Sequence, residues 1–232
     1  MKTLGLLGGM SWESTAVYYR LINREIRRRL GGSHSARCVV YSLDFAEVEA
    51  LQRAGEWGSA ARMLAEGARR LVAAGAELLL ICSNTMHRIF DELEREVPAR
   101  WLHIADATAR RIRDSGLRQV GLLGTRFTME ESFYRERLEG RHGLRVLTPE
   151  ALDRRRVDEV IFRELVLGRI RRESRAEFVR IIEQLAERGA EGVILGCTEI
   201  GLLVKPRHTR VPLFDTTEIH AMAAVEAALA AE

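Results

Sequence analysis

Two stretches of this chain, far apart, match without a gap. Gly75-Ala76-Glu77-Leu78-Leu79-Leu80-Ile81-Cys82-Ser83-Asn84-Thr85 corresponds one for one to Gly189-Ala190-Glu191-Gly192-Val193-Ile194-Leu195-Gly196-Cys197-Thr198-Glu199, 114 positions later. A second pair, Leu4-Gly5-Leu6-Leu7-Gly8-Gly9 and Val120-Gly121-Leu122-Leu123-Gly124-Thr125, repeats 116 positions apart. The longer pair reads as a helix-ending glycine, a short apolar strand and a small polar cluster. The chain is therefore expected to be two copies of one α/β unit. Facing copies would set Ser83 and Cys197 on opposite sides of one cleft, because those positions align. Cys82 aligns with Gly196 instead.

The remaining pattern fits that frame. Strand-like apolar runs recur at Thr3–Gly8, Cys38–Leu43, Leu78–Cys82, Trp101–Ile104, Gln119–Gly124, Leu144–Leu147, Gly192–Gly196 and Val211–Phe214. Helical patterns lie between them: Glu13–Leu30, Trp57–Ala74, Asp106–Ser115, Thr128–Glu139, Val157–Leu167, Arg175–Arg188 and Thr216–Ala231. Most of these close on a glycine, a common helix stop. Such alternation, taken with the repeat, predicts an α/β fold of two pseudo-symmetric, Rossmann-like subdomains, each a parallel sheet flanked by helices; facing copies would put the active site at their interface. The expected boundaries are 1–104 for the first subdomain, with 208–232 returning to it, and 105–207 for the second. In such sheets, functional residues lie beyond the carboxyl ends of the strands.

Composition removes several function classes. At 232 residues, each half is large enough for its own core. A net charge of +3, with basic clusters such as Arg27-Arg28-Arg29 set beside acids on helical patterns, points to solvated helix faces and no nucleic-acid partner. No apolar run reaches the roughly 18–20 residues of a membrane span. Three cysteines do not make a disulfide framework, and no cluster has metal-ligand spacing, so no metal is expected. Lys2-Thr3-Leu4-Gly5 runs straight into a strand without a leader pattern. The expectation is a soluble cytoplasmic protein whose cysteines stay thiols.

Chemistry-bearing residues gather at strand ends. Gly8-Gly9-Met10-Ser11 permits a tight turn and close backbone approach at a helix start, but it is neither a dinucleotide fingerprint nor a P-loop. Ser83-Asn84-Thr85 offers hydroxyl and amide groups that either cap a helix or bind a carboxylate and an ammonium. Cys197-Thr198-Glu199 repeats that arrangement, with the thiol exposed to peptide dipoles that lower a cysteine pKa. Two facing proton-handling groups suit removal of a proton from a carbon acid and its return from the other face. Hydroxyl and amide donors would stabilise the enolate. That chemistry inverts a stereocentre and needs no cofactor. His87 either tunes a thiol or caps the structure, and His220 reads as a packed helix residue.

GLLGGMSWEST, SNT-x-H, LLGT-x-x-T and GCTEI, in this order, resemble the cofactor-independent aspartate/glutamate racemase family along essentially the whole chain. The resemblance implies a small amino-acid substrate, a homodimer and two cysteine acid/bases, one in a Cys-Asn-Thr loop and one in a Gly-Cys-Thr loop. It carries Asn84, Thr85 and Thr198 over as contacts to the α-carboxylate and amino group, and Thr125 and Thr128 as a second anion-binding turn. Met10 and Gln52 fall at pocket edges. Arg163 is the candidate for a side-chain carboxylate, with a solvated helix face as the other reading. Glu199 orients Thr198 or the substrate ammonium, or only begins a turn.

One departure matters. Where the family has its first cysteine, this chain has Ser83, and alternation along a strand turns Cys82 to the other face. The expected machinery is Cys197 with Ser83; the other reading is a bent strand end from which Cys82 still reaches the cleft. In the family the second-loop cysteine deprotonates the L-enantiomer, so turnover should run mainly from L-substrate. Two alternatives stand beside this reading. One is a single-cysteine decarboxylase or cis–trans isomerase of a dicarboxylate, and the other is a non-catalytic small-molecule-binding protein.

Overall fold

The computed structural model describes residues 1–230; Ala231, the last residue of the expected final helix, and Glu232 lie outside the described residues. The chain divides into two compact units. One is Met1–Ile104 together with the chain from His220 onward, and the other is Ala105–Ile219.

The first unit is built on β1 (Leu4–Gly8), β2 (Cys38–Ser42), β3 (Leu78–Ile81) and β4 (Arg100–Leu102). Its helices are α1 (Trp12–Leu30), α2 (Phe45–Ala54), α3 (Trp57–Ala73) and α4 (Phe90–Glu96). The strands lie in the order β2-β1-β3-β4, all parallel, with Leu4 beside both Cys38 and Leu78. α5 (Ile104–Asp114) leads out of this unit.

The second unit repeats the plan with β5 (Gln119–Gly124), the short α6 (Arg126–Glu130) and α7 (Ser132–Glu136), β6 (Arg145–Leu147), α8 (Ala151–Arg163) and α9 (Arg172–Glu187). It closes with β7 (Gly192–Gly196), α10 (Ile200–Leu203) and β8 (Leu213–Asp215), from which α11 (Thr216–Leu229) carries the chain back. The order β6-β5-β7-β8 is the same topology, again all parallel.

The repeated Gly-Ala-Glu acquires a physical meaning in both units. Gly75 and Gly189 stop α3 and α9 at φ of 89° and 99°, a region open to glycine. Glu77 and Glu191 then bond backbone to backbone, to Thr3 O and Gln119 O. Their carboxylates accept from the amides that open the neighbouring strand: Thr3 at 2.6 Å for Glu77, Arg118 and Gln119 at 2.7 and 2.8 Å for Glu191. The motif thus ends a helix and locks the entry of two adjacent strands.

The sheet of the first unit is covered on both faces. Leu7, Leu79 and Ile81 pack with α3 residues such as Leu64 and Ala68. Leu4, Leu6, Leu78, Leu80 and Cys82 pack with Tyr18, Ile22 and Ile26 of α1 and with Ala221, Ala224 and Val225 of α11. In the second unit Leu123, Val193, Leu195 and Cys197 pack with Val157, Val160, Ile161, Phe178 and Ile181.

Residues 208–219, expected with the first subdomain, stay with the second. Leu213–Asp215 adds to the edge of β7, pairing Val193 with Leu213 and Leu195 with Asp215. Only the chain from His220 joins the first unit. α2 is an addition to the helical pattern read from sequence; Asp44 caps it through Ala46 N and Gly55 ends it at φ 73°. Among the described residues no helix is long and apolar enough to cross a membrane.

Candidate active site

Each unit gathers its polar residues at the carboxyl ends of its two central strands. In the first unit these are the turns after β1 and β3. Gly9 N donates to Thr15 Oγ1 at 2.9 Å, and that hydroxyl donates to Ser11 O at 3.0 Å, so the turn into α1 is closed on itself. Met10, 6% exposed, joins the apolar cluster that holds Val48 and Met86. Gln52 of α2 is buried and donates to Met86 Sδ at 3.0 Å. Met10 and Gln52 therefore share one wall with the residue three places after Ser83.

The alternation in β3 places its two sulfur and oxygen candidates apart. Cys82 follows Leu78 and Leu80 into the α1/α11 side and is fully buried. Its backbone amide still bonds Leu7 O at 2.9 Å, so it continues the strand geometry. Burial in this apolar layer pushes the thiol pKa far up. Ser83 is one step further on, where Asn84, Thr85, Met86 and His87 wind into a 3₁₀ turn. Its Oγ accepts from Met86 N at a long 3.4 Å, and its carbonyl accepts from His87. Asn84 and Thr85 are buried beside it.

The second unit sets the turns after β5 and β7 side by side. Gly124 pairs with Gly196, and a methyl group on Gly124 would stand 2.8 Å from Gly196 O. Close approach of these strand ends requires both glycines. Thr125 caps α6, with Oγ1 3.4 Å from Thr128 N and 3.2 Å from Thr128 Oγ1. Both threonines are buried, so the expected anion-binding turn is first of all a cap.

Cys197 carries the main departure from sequence reasoning. Its Sγ donates to Glu199 Oε2 at 2.9 Å, and Thr198 Oγ1 donates to the same oxygen at 2.8 Å. The peptide dipoles expected to lower this thiol do not prevail. Burial, then the charge of Glu199, and finally that of Asp158 hold its pKa well above the ordinary thiol value. Cys197 rests as a thiol with a carboxylate ready to accept its proton.

Asp158 is a residue that sequence reasoning misses. It lies in α8 and its Oδ1 accepts from Arg126 N at 2.7 Å, while burial raises its own pKa. Its only signal in the sequence is an acid in a helix between two strands, which is common. Arg163 ends the same helix with its side chain 77% exposed, in a 2.6 Å pair with Glu159. His220 is fully buried, bonded to Tyr18 and Leu102. Among the described residues no group of three or more His, Cys, Asp or Glu side chains could hold a metal ion.

Comparison with known proteins gives a consistent answer. The model of the family described as Asp/Glu/hydantoin racemase matches residues 7–224. A solved structure of a candidate Asp/Glu racemase from Yersinia pestis is 51% identical, covering 99% of this chain and 100% of that one, with a TM-score of 0.92. An aspartate racemase homologue from Pyrococcus horikoshii OT3 is 36% identical over 98% and 99% of the two chains, with a TM-score of 0.83. The broad-specificity amino-acid racemase RacX of Bacillus subtilis is 21% identical over 98% of each chain.

Proposed function

The chain belongs to the Asp/Glu/hydantoin racemase family, and from that premise we propose that it interconverts the enantiomers of aspartate or glutamate without a cofactor, drawing protons mainly from the L-form. The observation that carries this reading is the Cys197–Glu199 contact at the strand end equivalent to Ser83. A thiol beside a carboxylate can pass its proton to Glu199 as substrate enters. The thiolate then removes the α-proton, and the C–H electron pair spreads into the α-carboxylate as an enolate. Ser83, or a water it holds, returns a proton to the opposite face.

Serine suits the donor half of that cycle. Its Oγ already accepts from Met86 N, which leaves the hydroxyl hydrogen to donate. As a base it is far weaker than a thiolate, so abstraction from the D-enantiomer should be slow. Asn84, Thr85 and Thr198 supply hydroxyl and amide groups for the substrate's α-carboxylate and ammonium, with Thr125 and Thr128 shaping the adjoining turn. Met10 and Gln52 are our candidates for the edge of the pocket.

Arg163 is our candidate for the side-chain carboxylate. Its present pair with Glu159 is exposed, and such pairs are worth only about 0–1 kcal/mol, so substrate could displace it. A bidentate hold on a carboxylate would be stronger. The active form is proposed to be a homodimer in the cytoplasm.

Proton NMR in D₂O tests the proposal directly. Loss of the α-hydrogen signal and chiral inversion are followed in separate samples of L- and D-aspartate and L- and D-glutamate. Exchange and inversion from an L-substrate, with little from its mirror image, is the expected result. Equal exchange from both enantiomers would remove the Cys197/Ser83 asymmetry. No exchange in any of the four would remove the racemase assignment to these substrates.

A further inference from the structure

Behind the first loop lies a buried imidazole that the proposed reaction leaves unused. His87 is 3% exposed and stands in the turn that follows Asn84. Its Nε2 lies 3.3 Å from the backbone nitrogen of Ile104, the residue that opens α5. A backbone amide can only donate, so Nε2 accepts and carries no proton. Its Nδ1 lies 2.7 Å from Ser83 O. A carbonyl can only accept, so Nδ1 holds the ring's single proton. Two one-way partners therefore fix a tautomer that distances alone would leave open. A second ring proton would set N–H against N–H at Ile104, which makes this a site for neutral imidazole.

The ring plane is held as well. Phe90 lies nearly parallel to it at 5.7 Å and 8°, and His103 meets it edge-on at 4.3 Å. Among the described residues, titratable groups facing His87 include His103, from the segment between β4 and α5, and His220 of α11, whose ring lies 6.2 Å away and is tied to Tyr18 of α1. By contrast, among the described residues the Ser83 hydroxyl is held only by the long contact from Met86 N. Where that hydroxyl stands depends chiefly on its own main chain, and the Ser83 carbonyl on that main chain accepts a 2.7 Å bond from His87.

We propose that His87 is a positioning residue: its Nδ1–H anchors the Ser83 carbonyl and thereby aims the Ser83 hydroxyl, while the Ile104 amide keeps the imidazole in the one tautomer able to do so. The proposal rests on the reading of Ser83 as the group that returns a proton to the substrate. Its signature is a change in inversion with little change in exchange, since Cys197 would still remove and restore the α-hydrogen on its own face.

Two substitutions separate the two ring nitrogens. His87→Asn keeps an N–H close to the place of Nδ1 and gives up the Ile104 contact. His87→Gln reaches the place of Nε2, offers Ile104 a carbonyl oxygen and leaves Ser83 O without its donor. With L-substrate in D₂O, His87→Gln is expected to lower the ratio of inversion to α-hydrogen exchange roughly ten-fold, and His87→Asn to keep it within about two-fold of wild type. The reverse order would assign His87 only to bracing Ile104 and overturn the proposal; so would unchanged ratios in both. Nitrogen-15 NMR of the histidine-labelled wild type gives an answer even if a variant fails to fold. A proton on Nδ1 of His87 is expected, and one on Nε2 overturns the proposal. No exchange by wild type would defeat the racemase reading and this role with it, whereas normal exchange with unaltered ratios would defeat this role alone.

Discussion

The Cys197 thiol donates its proton in a hydrogen bond to Glu199, and this pair bears on how the thiol should titrate. Glu199 raises the thiol's pKa through its charge and its hydrogen bond. Removing that charge by Glu199→Gln should therefore bring the pKa down, and the pH midpoint for alkylation of Cys197 by iodoacetamide should shift to lower pH. Exchange of the L-substrate's α-hydrogen should fall at the same time, on the order of 100-fold, because the thiol's proton loses its local acceptor. Undiminished exchange would leave Glu199 only the task of raising the thiol. Across the reaction, Ser83→Cys should open turnover from the D-enantiomer, read by chiral chromatography; no gain from D-substrate would count against Ser83 as the second proton-handling group. The internal repeat makes the Ser83 and Cys197 positions legible from the order of residues alone, because strand parity is written there. Cys82, two residues after Leu80, joins the apolar layer that Leu78 and Leu80 enter. The direction of the Cys197 pKa shift is not legible in the same way: it depends first on how deeply the thiol is buried, then on where one oxygen of Glu199 lands and on Asp158 from another element.

Elements are legible where glycine marks their ends and obscure where they are short. Among the described residues, all eight strands fall within the apolar runs or overlap them. Thr128–Glu139 reads as one helix but is divided at Glu131, which is extended at φ −84° and ψ 155° and separates α6 from α7. The three-residue β8 carries no mark of which sheet edge it joins. Glycine within α3 shows how packing overrides propensity. A Cβ on Gly67 would stand 2.7 Å from the Tyr41 ring and 2.8 Å from Leu7 Cδ1. Tyr41 cannot easily yield, since Arg70 bonds its hydroxyl at 2.8 Å. Replacing a helical glycine by alanine ordinarily gains up to about 1 kcal/mol, but overpacking costs about 1–3 kcal/mol. Gly67→Ala should therefore lower the urea midpoint. Gly58→Ala, in the first turn of the same helix and 3.8 Å from only an Arg62 nitrogen, should be neutral or raise it slightly. Equal shifts for the two would refute close packing at Gly67.

At the scale of the molecule, the first unit is assembled from both ends of the chain. Lys2 N bonds Ala228 O at 2.9 Å, and α11 completes the core over Leu4 and Leu6. The sequence hints at such a return but not at its start. The residue at which it starts, His220, is also an acid-sensitive contact of this unit. Its Nε2 must donate to Leu102 O at 2.9 Å, because a carbonyl only accepts, so Nδ1 accepts from the Tyr18 hydroxyl at 2.9 Å. Protonation would keep the Leu102 bond but take away the acceptor for Tyr18, and burial lowers the ring's pKa from 6.5 to about 4. Between those values the unfolded chain binds a proton that the folded chain refuses, so stability rises with pH across that window and falls as the solution is acidified. This group alone should cost roughly 3 kcal/mol from pH 6.5 down to pH 4. Buried Asp158 and Asp215, whose pKa values are raised by burial, act in the opposite sense. A comparison with His220→Gln cancels those contributions. Wild type should lose stability to urea across this window more steeply than the variant, which keeps an amide able to donate to Leu102 O and has nothing there to protonate. Parallel slopes for the two proteins would show that His220 does not tie acid stability to the return of the chain.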